Sequence, residues 1–168
     1  LNTLSFSKAL SDDGSLRFSA SDLHNTSIRP KAGGKQQSFT LSANYKLGKN
    51  LFLQLKGQYI NAFTHNRPSV SDAAGSLNFA PMFLPPNVNI TSLAPGYKAD
   101  GSENQFLDDA YTTNPYFVAY KFINNTSRNR FLGSADLKYT FDNGLYLQFR
   151  AGEDYYADRN TNVTPNGT

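Results

Sequence analysis

Apolar and polar residues alternate with a period of two along three parts of this chain. The pattern is clearest over residues 131–155. Phe131, Gly133, Ala135, Leu137, Tyr139 and Phe141 fall on one face there, and Ser134, Asp136, Lys138 and Thr140 on the other. After Asp142-Asn143-Gly144, Leu145, Leu147, Phe149 and Ala151 alternate with Gln148, Arg150 and Asp154. Residues 37–64 repeat the pattern around Gly48-Lys49-Asn50, and residues 2–25 do so more raggedly around Asp12-Asp13-Gly14. Successive side chains of a pleated strand point to opposite faces, so each of these segments is apolar on one side and hydrophilic on the other. The spacing predicts an all-β, antiparallel fold of six strands at 2–10, 16–25, 37–47, 51–63, 130–141 and 145–157. Asn143-Gly144 is expected to supply the positive φ angles of a short hairpin turn.

The connections alternate in character. Those at 11–15, 48–50 and 142–144 are tight; 26–36 is longer, 65–129 is far longer, and the segment after Asp158 begins another. Strands of about ten residues, with short turns at one end and long loops at the other, are the sequence signature of a transmembrane β-barrel. The chain is therefore expected to be one sector of such a barrel, with 65–129 as a long extracellular loop. Phe39, Leu41, Ala43, Tyr45, Leu53, Leu55, Leu137, Tyr139, Leu147 and Phe149 are expected to face lipid. The alternates Ser38, Thr40, Ser42, Asn44, Lys46, Gln54, Lys56, Gln58, Ser134, Asp136, Lys138, Gln148 and Arg150 are expected to face a wet or plugged lumen. The competing architecture is a soluble β-sandwich, whose apolar faces pack against each other.

The long loop holds Pro68, Pro81, Pro85, Pro86, Pro95 and Pro115, together with Phe79, Phe83, Leu84, Tyr116 and Phe117. So many large apolar side chains suit an ordered excursion, packed on the barrel's own rim or on a partner, rather than a solvated linker. A short helix is expected near 104–111. No stretch approaches the ~20 apolar residues of a membrane-spanning helix. The chain opens at Leu1, almost inside a strand, and is read as an internal piece of a longer protein.

Composition fits this picture. Hydrophobic residues make up 39% of the chain, with 13 Phe and 10 Tyr supplying much of that share and no Trp or Cys. A membrane barrel needs apolar side chains only on its lipid face. The net charge of +3 is small and the basic residues are dispersed, unlike the stripe expected of a nucleic-acid surface.

Candidate chemistry is sparse. His24 and His65 sit near strand ends without a nucleophile elbow or a phosphate-binding glycine loop, so no catalytic residue and no cofactor is expected. Asp100-Gly101-Ser102-Glu103-Asn104, followed by Asp108-Asp109, offers the oxygen ligands that calcium takes, but its spacing departs from the EF-hand loop. A polar turn followed by a helix start is the alternative reading. Near the end of the last strand Glu153, Asp154, Tyr155, Tyr156, Asp158 and Arg159 crowd together. Asp154, Tyr156, Asp158 and Arg159 are the candidate substrate-binding rim, where aromatic faces stack and charged groups hydrogen-bond; an aromatic girdle with a polar loop start is the plain alternative. Asn89-Ile90-Thr91, Asn125-Thr126-Ser127 and Asn162-Val163-Thr164 match the glycosylation pattern, as chance matches.

Several stretches resemble the SusC/RagA-like family of TonB-dependent outer-membrane transporters. These are Asn114-Pro115-Tyr116-Phe117, the run from Asn124 through Arg130-Phe131-Leu132-Gly133-Ser134-Ala135-Asp136-Leu137-Lys138-Tyr139, Leu147-Gln148-Phe149-Arg150-Ala151-Gly152, and Asp154-Tyr155-Tyr156-Ala157-Asp158-Arg159. Earlier, residues 5–21, Ile28-Arg29-Pro30 and Asn66-Arg67-Pro68-Ser69 add to the likeness, in matching order; it is weakest between 70 and 109. The resemblance implies a plugged barrel of about 22 strands, with the plug and the TonB-contacting segment outside this chain. It also implies import of oligosaccharides or oligopeptides in the bacterial outer membrane, with a SusD-like surface lipoprotein as lid and the TonB complex as energy source. No covalent chemistry is implied. A passive porin, an adhesion barrel and a soluble carbohydrate-binding β-sandwich are the alternative functions.

Overall fold

A computed structural model describes residues 1–73, 75–109 and 112–166. It is an all-β protein. Six strands, β1 Asn2–Ser11, β2 Gly14–Thr26, β3 Gly33–Leu47, β4 Leu51–His65, β5 Ile123–Thr140 and β6 Tyr146–Val163, form one sheet in sequence order. The sheet is open, with β1 and β6 as its edges. Phe6 pairs with Phe18 and Thr3 with Ser21 across β1 and β2, and the register shifts between Ala9 and Ser11.

The tight turns follow from local chemistry. Asn143 accepts a hydrogen bond from the Leu145 amide, Gly144 donates to Phe141, and Phe141 donates to Leu145. Gly144 takes φ 86° while Asn143 stays out of the left-handed region, a correction to the expected pair of positive angles. A hairpin loop that ends in a single left-handed glycine explains the difference. Between β3 and β4 the left-handed glycine comes first in the loop instead, Gly48 at φ 68°.

The chain divides into two compact units. The first comprises Leu1–His24, Lys35–Phe63 and Ser127–Arg159, the second Asn25–Gly34, Thr64–Thr126 and Asn160–Thr168. In the first unit the sheet stands as a single layer and its apolar face is left uncovered. Among its described residues the one buried residue is a carboxylate, Asp136, while Leu4, Phe6, Phe39, Leu41, Leu137, Leu147 and Phe149 stand exposed. Leu53 and Ala43 are half-buried. Counting by alternation from the β1–β2 register and the hairpin bonds puts all of the expected apolar set on one face. The opposite face carries hydroxyl and amide contacts between strands: Ser5–Ser19 at 3.0 Å, Ser21–Ser38 at 2.6 Å and Asn44 to Ser15 at 3.4 Å. Phe131 lies over Gly133 on the apolar face, within 3.0 Å of where a Cβ would stand, an aromatic ring covering a strand glycine.

The second unit holds the buried apolar residues: Ala32, Ala80, Phe117, Val118 and Ala119. Its centre is helix α1, Pro115–Lys121, flanked earlier in the chain by 3-10 turns at Ala80–Phe83 and Ile90–Leu93. The helix expected at 104–111 is absent over 104–109, and Ala110 and Tyr111 lie outside the described residues. Asn114 shows why the helix starts later. It is fully buried, its Oδ1 accepts from the Tyr116 amide, and its Nδ2 donates to the Leu93 and Asn104 carbonyls. Its own amide donates to Glu103 at 2.6 Å. Asparagine at the N-cap with proline in the first turn is a strong helix start. Gly96, at φ 83°, passes so close to the Phe117 nitrogen and the Tyr116 Cβ that a side chain there has no room.

Candidate functional site

The polar face of β5 and β6 gathers the densest set of paired charges. Arg128 donates to both carboxylate oxygens of Asp158, each at 2.6 Å, and Arg130 forks onto Asp154 at 2.8 and 2.5 Å. The Tyr156 ring lies 5.2 Å from the Arg128 guanidinium. Closer to the hairpin turn, Asp136 accepts from Arg150 Nε at 2.7 Å and from Gln148 at 2.9 and 2.7 Å. Lys138 sits 4.5 Å from the centre of the Tyr146 ring. Strand alternation brings these groups together, because even-numbered residues of both strands share a face.

Three of the four rim candidates therefore belong to one array: Asp154, Tyr156 and Asp158. Arg159 is one residue out of phase along β6 and by alternation falls on the opposite face, with Glu153 and Tyr155. Arg128 and Arg130, the partners of the two acids, were absent from that rim. The signal was available: counting back from the Asn143-Gly144 turn sets Arg128 opposite Asp158 and Arg130 within diagonal reach of Asp154. Chemically, the array offers forked donors, carboxylate acceptors and one ring face, a set suited to hydroxyls and amides of a polar ligand.

The other candidates have structural employment. Asp100 accepts from the backbone and hydroxyl of Ser102, and the Ser102 hydroxyl is the main reason its carboxyl titrates below the ordinary range. Glu103 is buried against Asn114 and pairs through its backbone with Tyr97. The oxygens of this acidic segment thus hold a turn and the start of α1. Among the described residues, no three His, Cys, Asp or Glu side chains gather as a metal site. His24 lies 2.9 Å from Asp22 on an exposed strand, and His65 sits beside Gly33. Asn89 caps the turn at Thr91, and Asn125 accepts from the Asn66 amide. Comparison with family models, with curated proteins and with solved structures found no match to this chain.

Proposed function

We propose that this chain is a sector of the barrel of a SusC/RagA-like, TonB-dependent transporter of the bacterial outer membrane, importing oligosaccharides or oligopeptides. The observation that carries this reading is the uncovered apolar face of the sheet, with Phe39, Leu41, Leu137, Leu147 and Phe149 bare. In water such a face is an aggregation surface; in lipid it is a solvated one. Its height supports the same reading. The apolar run from Phe131 in β5 to Phe141 just beyond its end spans about ten residues at roughly 3.4 Å each, and strand tilt brings that near the ~25 Å apolar band of outer-membrane barrels. Tyr45, Tyr139 and Phe141 toward the short turns, and Tyr59 and Tyr155 toward the long connections, stand where girdle aromatics belong. The open edges at β1 and β6 suit continuation into further strands.

In this function the protein performs no covalent chemistry. The array around Asp154, Tyr156 and Asp158 faces the substrate path, and a SusD-like lipoprotein closes over the barrel mouth. Uptake of a labelled substrate should disappear when the full-length gene is deleted, and equally when TonB is inactivated. Import that persists without TonB would make the barrel a passive pore and refute the proposal.

A further inference from the structure

Two Arg-Pro dipeptides distant in the sequence converge in the second unit. Arg29, between β2 and β3, donates through Nη1 to the Asn66 carbonyl at 3.3 Å. Asn66 returns a bond from Nδ2 to the Lys31 carbonyl at 2.8 Å. Arg67 is fastened to Asn124 in both directions through its backbone, at 2.8 and 3.0 Å. The junction encloses a niche lined by Arg29, Arg67, Ser69, Asn124 and Asn162, among others, with about 10 Å³ open to the centre of a water-sized group.

Two facts about this niche do not balance. The Arg29 Nε is buried with no hydrogen-bond partner, although guanidinium donors are costly to leave unmet. Among the described residues, no carboxylate forms an ion pair with Arg29 or Arg67. Burial lowers the Arg29 pKa, as expected for a cation without compensating charge. Arg29 is half-buried and Arg67 exposed. Water can therefore meet the orphan donor, but an anion would meet both the donor and the paired positive charge.

We propose that this niche is an oxyanion site that admits one oxygen of a carboxylate or phosphate group between Arg29 and Arg67. The available space fits a single oxygen, so the rest of the ligand stays outside. Guanidinium groups match such oxygens in charge and in fork geometry. The anion can arrive free in solution or on a lipid headgroup. This inference does not depend on the transport reading.

The test uses the full-length purified protein. Inorganic phosphate is titrated calorimetrically at fixed ionic strength, and organic phosphate is assayed in a lipid extract of the same preparation. Saturable phosphate binding that weakens at least tenfold in Arg67→Gln, with Lys49→Gln unchanged, supports a site for free anions. Stoichiometric lipid phosphate that is lost in Arg67→Gln supports the headgroup source. Arg67→Gln is the decisive variant because the described bonds of Arg67 run through its backbone, whereas Arg29→Gln also removes the bond to Asn66. Thermal melting confirms that the variant is folded. If phosphate binding is non-saturable or equal in wild type and Arg67→Gln, and no lipid phosphate depends on Arg67, the niche holds only water and the proposal is overturned.

Discussion

Arg130 and Asp154 are 38% and 47% exposed at their side chains, whereas Asp136 is 12% exposed. Solvent screens the first pair, so its coupling belongs with ordinary surface ion pairs. Asp136 has three donor contacts and little water to replace them. Asp136→Asn should therefore lower the melting temperature of the assembled protein more than Asp154→Asn does, and equal shifts would place the strength of the array elsewhere. A second expectation concerns Asp100. Its folded pKa is depressed, so its contribution is complete above the ordinary aspartate range and is lost as pH falls through the folded value. The Ser102 amide should lose hydrogen-exchange protection on acidification below that range, and Ser102→Ala should blunt this acid dependence.

At the scale of elements, the strands with apolar periodicity are legible in the sequence and the polar extensions are not. β5 begins at Ile123 rather than near 130, and β6 runs to Val163 rather than 157. Residues 123–129 and 158–163 are mostly Asn, Thr, Arg and Asp, so they offer no hydrophobic alternation to read. Their strand conformation rests on pairing with neighbours, as in the bond from Asn61 to Asn129 at 2.7 Å. The helix is displaced from its expected place for a related reason. Acidic residues at 103–109 suggest a helix start, while the stronger signal, Asn114 before Pro115, enters the sequence reading only as part of a resemblance. Asn114→Ala removes an N-cap and leaves the Leu93 and Asn104 carbonyls without their donor. The expected cost to the second unit is about 2 kcal/mol or more, seen as earlier proteolysis of the β4–β5 loop. Gly96→Ala should act in the same direction through overlap and φ strain, and a variant as resistant as wild type would remove the loop core from that position.

At the scale of the molecule, the two faces of the sheet make opposite demands. Leu137→Arg places a charge on the apolar face at a cost of roughly 2–4 kcal/mol if that face meets the bilayer midplane. Lys138→Leu changes a polar face that tolerates an apolar side chain better. Surface levels of the full-length protein should fall much further for Leu137→Arg, and comparable levels would refute the facing. The face assignment is readable because alternation is binary, whereas the loop's path is not, since it depends on contacts such as Glu103 with Asn114 that have no period.

The charged residues of the β5–β6 hairpin also work as a message with built-in error detection. Read outward from the turn, the polar face of β5 spells base, acid, base, base at Lys138, Asp136, Arg130 and Arg128, and β6 spells base, acid, acid at Arg150, Asp154 and Asp158. A slip of one residue sends every letter of one strand to the other face. A slip of two in one direction sets Lys138 opposite Arg150 and takes Asp136 away from it. A hairpin joined one residue out, or two residues out in that direction, thus carries its own mismatch before any neighbouring strand has arrived to check it.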